Sequence, residues 1–166
     1  FTYPLAKRDS TVDNYHGTKV PDPYRWLEDP DSIETQKWVA KQNQLTSNFI
    51  SSVPVRKKIR ARLRNLMNYP RYSSPYKRGG RYFFWKNDGL QNQSVLYYQK
   101  SLDARPSVVI NPNLLSKDGT VAVGTTAVSE NGAMLAYGLS HSGSDEQEIK
   151  IHTIDSGQDY REILRW

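Results

Sequence analysis

The chain contains no cysteine among its 166 residues. Disulfides, thiolate metal sites and cysteine nucleophiles are thereby excluded from it. The same absence fits a cytoplasmic protein. Acidic residues are missing from a long stretch: Thr35 to Lys86 hold 13 Lys and Arg and no Asp or Glu. No apolar run approaches the ~20 residues needed to span a bilayer, so no membrane partner is expected. Phe1-Thr2-Tyr3-Pro4 opens directly into polar sequence, without a basic-then-apolar leader. Histidine is scarce. His16, His141 and His152 include no pair at ligand spacing, so no metal site is expected. No glycine-rich phosphate loop follows a strand pattern, and no cofactor is expected either.

What is present suits one ordinary soluble domain with limited core material. The hydrophobic fraction is 37% and the mean hydropathy is negative. The net charge of +6 is concentrated in the acid-free stretch. A basic segment of this kind suits nucleic acid or an acidic surface. The plainer reading is a solvated helix face with charge complementarity to another part of a larger protein. We therefore expect no nucleic-acid partner. Asn92-Gln93-Ser94 has the form of a glycosylation sequon and is read as chance.

Residues 1 to 30 read as an extended lead-in punctuated by Pro4, Pro21, Pro23 and Pro30. His16-Gly17 reads as a turn between two short extended pieces. A helix comes next, with two candidate caps. Asp29 caps it with Pro30 at the first helical position, or Asp31 caps it with Glu34 reaching back. Trp38, Gln42, Leu45 and Phe49 then recur at helical spacing, with Val39 and Ile50 beside them. We expect Tyr24, Trp26, Trp38 and Phe49 to be covered by chain outside this sequence. Pro54 opens a second helix, with Val55, Ile59, Leu63 and Leu66 on one stripe and Arg or Lys around it. Pro70 stops that helix, because proline lacks the donor and clashes with the preceding turn.

The period then changes from helical to alternating, with the break between Leu66 and Ser74. Strands are expected at Arg81 to Trp85, Val95 to Tyr98, Val108 to Ile110, Val121 to Val128, Met134 to Leu139 and Ile149 to Ile154. The pattern repeats. Gly80-Arg81-Tyr82-Phe83-Phe84 aligns with Gly132-Ala133-Met134-Leu135-Ala136-Tyr137. Val95-Leu96-Tyr97 aligns with Ile149-Lys150-Ile151. The offset of about 52 to 54 residues is close to the ~50 of a four-stranded propeller blade. About two blades are present, the second incomplete, and two blades cannot close a ring.

One octet looks catalytic at first sight. Gly138-Leu139-Ser140-His141-Ser142-Gly143-Ser144-Asp145 holds serine, histidine and aspartate together. A working triad needs its members converging from separate elements beside an oxyanion hole. The octet lacks Gly-x-Ser-x-Gly and sits between two strands, so it reads as a polar connection. Glu28-Asp29 lies at a helix start, where negative charge favours the dipole without any catalytic role.

The run Asp22-Pro23-Tyr24-Arg25-Trp26-Leu27-Glu28-Asp29-Pro30, with Asp13 to Pro21 leading into it, resembles the N-terminal region of the prolyl oligopeptidases. Pro70-Arg71-Tyr72-Ser73, Gly89-Leu90-Gln91-Asn92-Gln93-Ser94-Val95-Leu96-Tyr97, Asp118-Gly119-Thr120-Val121-Ala122 and Leu135-Ala136-Tyr137-Gly138-Leu139-Ser140 extend the resemblance. It runs from Tyr3-Pro4 to Leu164-Arg165-Trp166. The oligopeptidase B family shares the start of the first block; Trp26 to Asp29 and Gly89 to Gln93 favour the post-proline family. In that family Ser-Gly-Ser-Asp is a propeller loop whose aspartate is usually followed by tryptophan; here the next residue is Glu146.

The resemblance implies an α+β fragment. Residues 1–67 would be the N-terminal arm and two helices of an α/β-hydrolase domain. Residues 68–166 would begin a seven-bladed β-propeller. The parent would be a serine endopeptidase cutting proline-containing oligopeptides after proline. Its serine, histidine and aspartate would lie beyond residue 166, so no residue of this chain is expected to be catalytic, and the isolated chain is expected to be inactive. The partner of this segment would be the remainder of the same polypeptide. The alternative reading is a non-catalytic β-repeat scaffold or binding module with a basic helical arm.

Overall fold

A computed structural model describes residues 1–165. Trp166, the last residue of the resemblance, lies outside the described residues. The chain divides into two compact units, Phe1–Arg62 and Leu63–Trp166.

The first unit opens with a hairpin. β1 (Val12–Tyr15) and β2 (Thr18–Pro21) pair antiparallel, with Tyr15 opposite Thr18. The two residues between them, His16 and Gly17, both have positive φ (51° and 93°). That is the pattern of a two-residue turn matched to strand twist. The Asn14 side-chain oxygen accepts the Gly17 N–H at 2.8 Å and steadies it. Arg25 fastens the hairpin to the next turn of the chain. Its guanidinium bonds Asp22 at 2.6 Å and also meets Asp13 of β1. A single 3-10 turn, Arg25–Glu28, then presents Trp26.

Helix α1 (Ile33–Ser52) starts at neither Asp29 nor Asp31. Its cap is Ser32, whose hydroxyl oxygen accepts the Thr35 N–H at 3.2 Å. The two candidate carboxylates are committed elsewhere or displaced by one residue. Asp29 accepts the Asp31 N–H at 3.0 Å in a turn of its own. Glu34 reaches Lys7 at 3.2 Å rather than closing a capping box. Thr35 supplies the deciding contact: its hydroxyl donates to the Trp26 carbonyl at 2.9 Å and draws the first helical turn onto the 3-10 turn.

The apolar stripe of α1 is covered from within the unit. Trp26 and Trp38 meet edge to face at 6.4 Å. The Trp26 indole donates to the Lys7 carbonyl at 2.9 Å, and Gln42 donates to the Pro4 carbonyl at 3.3 Å. The first residues of the chain thus lie along the helix, and Phe1 packs edge-on against Phe49 at 5.0 Å. The expectation of cover from elsewhere fails for Trp26 and Trp38, which are half-buried within this unit. Tyr24 and Phe49 stay exposed at 42% and 51%. Helix α2 (Arg56–Met67) carries its stripe into solvent: Val55 just before it, then Ile59, Leu63 and Leu66 are all exposed.

The second unit is two antiparallel meanders. The first contains β3 (Arg71–Tyr72), β4 (Tyr76–Arg78), β5 (Arg81–Asn87), β6 (Val95–Gln99) and β7 (Ser107–Ile110). β3 and β4 both pair with β5 on the same edge and together replace one strand. The second contains β8 (Val121–Val128), β9 (Met134–His141), β10 (Gln147–Thr153) and β11 (Gln158–Arg165), neighbours in chain order. Pattern reading misses β3 and β4 because they are too short to alternate. It misses β11 because every residue along it is exposed, so no apolar face marks it.

The repeat is visible in register. Phe83 pairs with Tyr98 in the first sheet, and Leu135 pairs with His152 in the second. The second hairpin is longer between those partners, which is why the offset drifts along the alignment. Phe83 and Leu135 are both fully buried and share one core with Leu96, Val109, Ile110, Tyr137, Leu139 and Ile154.

Two turns meet at one end of that core. Gly79 has φ 51°, and a Cβ there would overlap the Asn131 carbonyl. Gly80 has φ 78° with open space around it. Left-handed backbone alone costs a non-glycine residue about 1–2 kcal/mol. Gly80→Ala is expected to cost that much in urea unfolding, and Gly79→Ala clearly more, because the neighbouring turn must also move. For the helix cap, Ser32→Ala is expected to cost about 1 kcal/mol, while Asp31→Ala leaves the unfolding midpoint near the wild-type value.

Candidate functional site

The octet from Gly138 to Asp145 does not assemble a triad. Gly138 to His141 end β9, and the rest is the turn into β10. The Ser140 hydroxyl donates to the Ser144 carbonyl at 2.6 Å. His141 faces Glu148 at 3.6 Å instead of a serine. Glu148 also accepts from Arg165 at 2.9 Å, and Arg165 first, then His141, holds its carboxyl below the usual range. His16 is the turn residue of the first hairpin. His152 lies beside Asp159 at 2.9 Å, and the Tyr137 hydroxyl donates to the same carboxylate at 2.8 Å. Burial, then that carboxylate, pushes the Tyr137 phenol well above its ordinary value. This cluster ties β9, β10 and β11 together and offers no nucleophile. Among the described residues no three His, Cys, Asp or Glu side chains gather as a metal site.

Other polar contacts of the second unit bridge its two sheets at the seam between them. At one end lies the loop from Asp88 to Ser94. Asn87 is buried, and its side-chain oxygen accepts the Gly89 N–H at 2.8 Å and Arg71 at 3.2 Å. Arg71 also reaches the Gly89 carbonyl at 3.1 Å. Gly89 has φ 128°, and a Cβ there would crowd the backbone of Asn68 and Tyr69. Two blocks separated in sequence, Pro70-Arg71-Tyr72 and Gly89 to Gln93, therefore meet in space.

From that loop Gln93 crosses to the other sheet. Its amide nitrogen donates to the Val121 carbonyl at 2.7 Å, and its side-chain oxygen accepts the Val123 N–H at 3.1 Å. Its own backbone is held on both sides by Asn113, at 3.0 Å and 2.9 Å. A cavity of about 390 Å³ opens beside it, lined by Trp85, Ser94, Pro112, Val123 and Gly124. Pattern reading does not find this arrangement. Its only trace in the sequence is a Gln-Asn-Gln run where a turn needs no amides.

At the other end of the seam Arg81 of β5 places one nitrogen 2.7 Å and 2.8 Å from the two Asp155 oxygens. The same guanidinium lies 5.0 Å over the Tyr98 ring, a cation–π contact. Arg81 holds the Asp155 carboxyl below its usual 3.8. A depressed carboxylate contributes stability that is present above its unfolded value and lost as pH falls through the folded value. Unfolding midpoints measured from neutral pH down to strong acid are thus expected to show a shallower acid limb in Asp155→Asn than in the wild type.

The arrangement therefore braces one sheet against the next and contains no acyl-transfer machinery among the described residues. Residues 3–166 match the family described as prolyl oligopeptidase, N-terminal beta-propeller domain. The prolyl endopeptidase of Elizabethkingia meningoseptica is 37% identical over 162 residues, covering 98% of this chain and 23% of that protein. A solved chain from a structural and mechanistic study of two prolyl endopeptidases superposes with a TM-score of 0.81 at 33% identity, covering 99% of this chain and 24% of that one. Prolyl oligopeptidase B of Galerina marginata, bound to a 35mer hydrolysis and macrocyclization substrate, gives 0.74 at 28% identity, covering 99% and 27%. The chain thus spans less than a third of the length of these relatives, and it belongs to the prolyl oligopeptidase N-terminal β-propeller family.

Proposed function

We propose that this chain is the N-terminal part of a prolyl oligopeptidase, a serine endopeptidase that cleaves short peptides after proline. The observation that carries the reading is the family match along residues 3–166. Cleavage would proceed by acyl transfer: a serine attacks the carbonyl, a histidine takes its proton, and an aspartate orients the histidine. Those three groups belong to the remainder of the polypeptide, and no residue of this segment is catalytic. The two meanders are the first blades of a seven-bladed ring that covers the active site and excludes large substrates.

The blade reading draws support from the first sheet's outer face. Phe84 stacks on Tyr97 at 5.8 Å and meets Tyr72 at 6.2 Å. Pro75, Tyr82, Leu102 and Pro106 extend the same apolar groove. In a closed ring each blade has a neighbour on both sides, and this face is where the last blade seats. We assign residues 1–67 to an α/β-hydrolase domain. The exposed stripe of Ile59, Leu63 and Leu66 on α2 supports this, since such a stripe is stable in water only when another element covers it.

The purified chain is expected to leave a chromogenic Gly-Pro substrate at background. Joined to a downstream segment carrying a Gly-x-Ser-x-Gly serine, it is expected to support cleavage after proline that vanishes when that serine is replaced by alanine. Turnover by the chain alone, surviving removal of contaminants, overturns the assignment of catalysis to the remainder. A joined protein that folds yet cuts nothing favours a non-catalytic β-repeat scaffold.

A further inference from the structure

β8 is an edge strand. Its sheet runs β11-β10-β9-β8, so one row of β8 backbone groups has no strand partner within that sheet. Unpaired edges of this kind slip, fray or recruit another chain. The pairing with β9 on the other side is itself interrupted, with a register shift between Val123 and Thr126. β11 is the other edge, and its pairing with β10 is interrupted as well; β8 differs in that a side chain from the first sheet reaches its open edge.

We propose that Gln93 acts as a one-residue strand that pairs with β8 and couples the two sheets into a single unfolding unit. A primary amide has one carbonyl and an N–H donor, the same pair that a peptide group offers to a ladder. Gln93 uses both on one residue window: it donates to the Val121 carbonyl at 2.7 Å and accepts from the Val123 N–H at 3.1 Å. A second amide repeats the device one step back. Asn113 accepts the Gln93 N–H at 3.0 Å and donates to its carbonyl at 2.9 Å. The Asn111 side-chain oxygen in turn accepts from the Asn113 backbone N–H and side-chain amide, at 3.1 Å and 3.0 Å.

The connection thus runs from the end of β7 through three side-chain amides, Asn111, Asn113 and Gln93, to the edge of β8. It stops the edge from pairing with foreign chain and pins the register just before the irregularity. The clamped residues also carry core side chains: Val121 and Val123 pack against the cluster that holds Phe83 and Leu135. Opening β8 therefore opens the loop of the first sheet as well. This inference stands apart from the peptidase reading, since it concerns only hydrogen bonds inside the second unit.

Hydrogen exchange on the intact protein tests it. In the wild type, segments 81–99 and 121–128 are expected to share one opening free energy and one denaturant dependence. Gln93→Met keeps the length and removes the amide; the Val123 amide is then expected to exchange about tenfold faster, with segment 81–99 little changed. Gln93→Glu sets a carboxylate oxygen against the Val121 carbonyl at neutral pH. Its protonated form restores one donor and one acceptor, so Val123 protection is expected to return as the carboxyl is titrated in acid. Separate opening of the two segments in the wild type overturns the coupling, and this reading remains available if Gln93→Met does not fold. Unchanged Val123 protection in Gln93→Met, or no recovery in acid for Gln93→Glu, overturns the role of the amide.

Discussion

Everything in the second unit depends on the contact between the inner faces of two sheets. Phe83 and Leu96 from one sheet meet Leu135, Tyr137 and Leu139 from the other in a single buried cluster. Each sheet buries its apolar inner face in that shared cluster. The turns must therefore come close, and that demand selects glycine. Gly79 and Gly132 sit where the two turns touch backbone to backbone, and both have positive φ. With so small a shared core, polar braces at its ends carry more weight than in a larger domain. Arg81 with Asp155 closes one end and Gln93 with β8 the other.

The first unit obeys a different logic. A long helix with an aromatic stripe is covered by extended chain instead of by a sheet or a second helix. The covering chain is fixed through its carbonyls: Lys7 accepts from Trp26, and Pro4 accepts from Gln42. Such a cover has few apolar contacts, which leaves Phe49 and Ile50 exposed on the same helix. The basic residues of α2 have no acid among the described residues within ion-pair distance. Mutual repulsion among Arg56, Lys57, Lys58 and Arg60 is relieved by solvent in this segment.

The blocks that carry the family resemblance acquire physical meaning once folded. The Tyr24 to Asp29 block is the 3-10 turn that delivers Trp26 to the helix and its carbonyl to Thr35. Arg71 and Gly89 belong to separate blocks and share one hydrogen-bonded loop around Asn87. The Ser-Gly-Ser-Asp segment is a turn in which the Ser144 carbonyl accepts from the Ser140 hydroxyl and the Ser144 hydroxyl accepts the Glu146 N–H. These residues were legible as a signature without being legible as contacts. For Trp26 with Thr35 and for Arg71 with Gly89, the partners lie too far along the chain for spacing to show.

Local chemistry was sufficient to determine much of this protein from its sequence. Pro70 ends a helix because it lacks a donor. His16-Gly17 turns a hairpin because glycine accepts positive φ, and segments rich in aromatic and β-branched residues make β5 and β6. The change of period near residue 68 is likewise visible in composition alone. Tertiary structure decided what local rules leave open. The cap moved to Ser32 because Thr35 is held by the Trp26 carbonyl. β11 forms from wholly exposed residues because β10 offers it a ladder. Gln93 became a strand partner because another sheet's edge lies within reach. In each case the deciding hydrogen bond joins residues whose proximity only the folded chain creates.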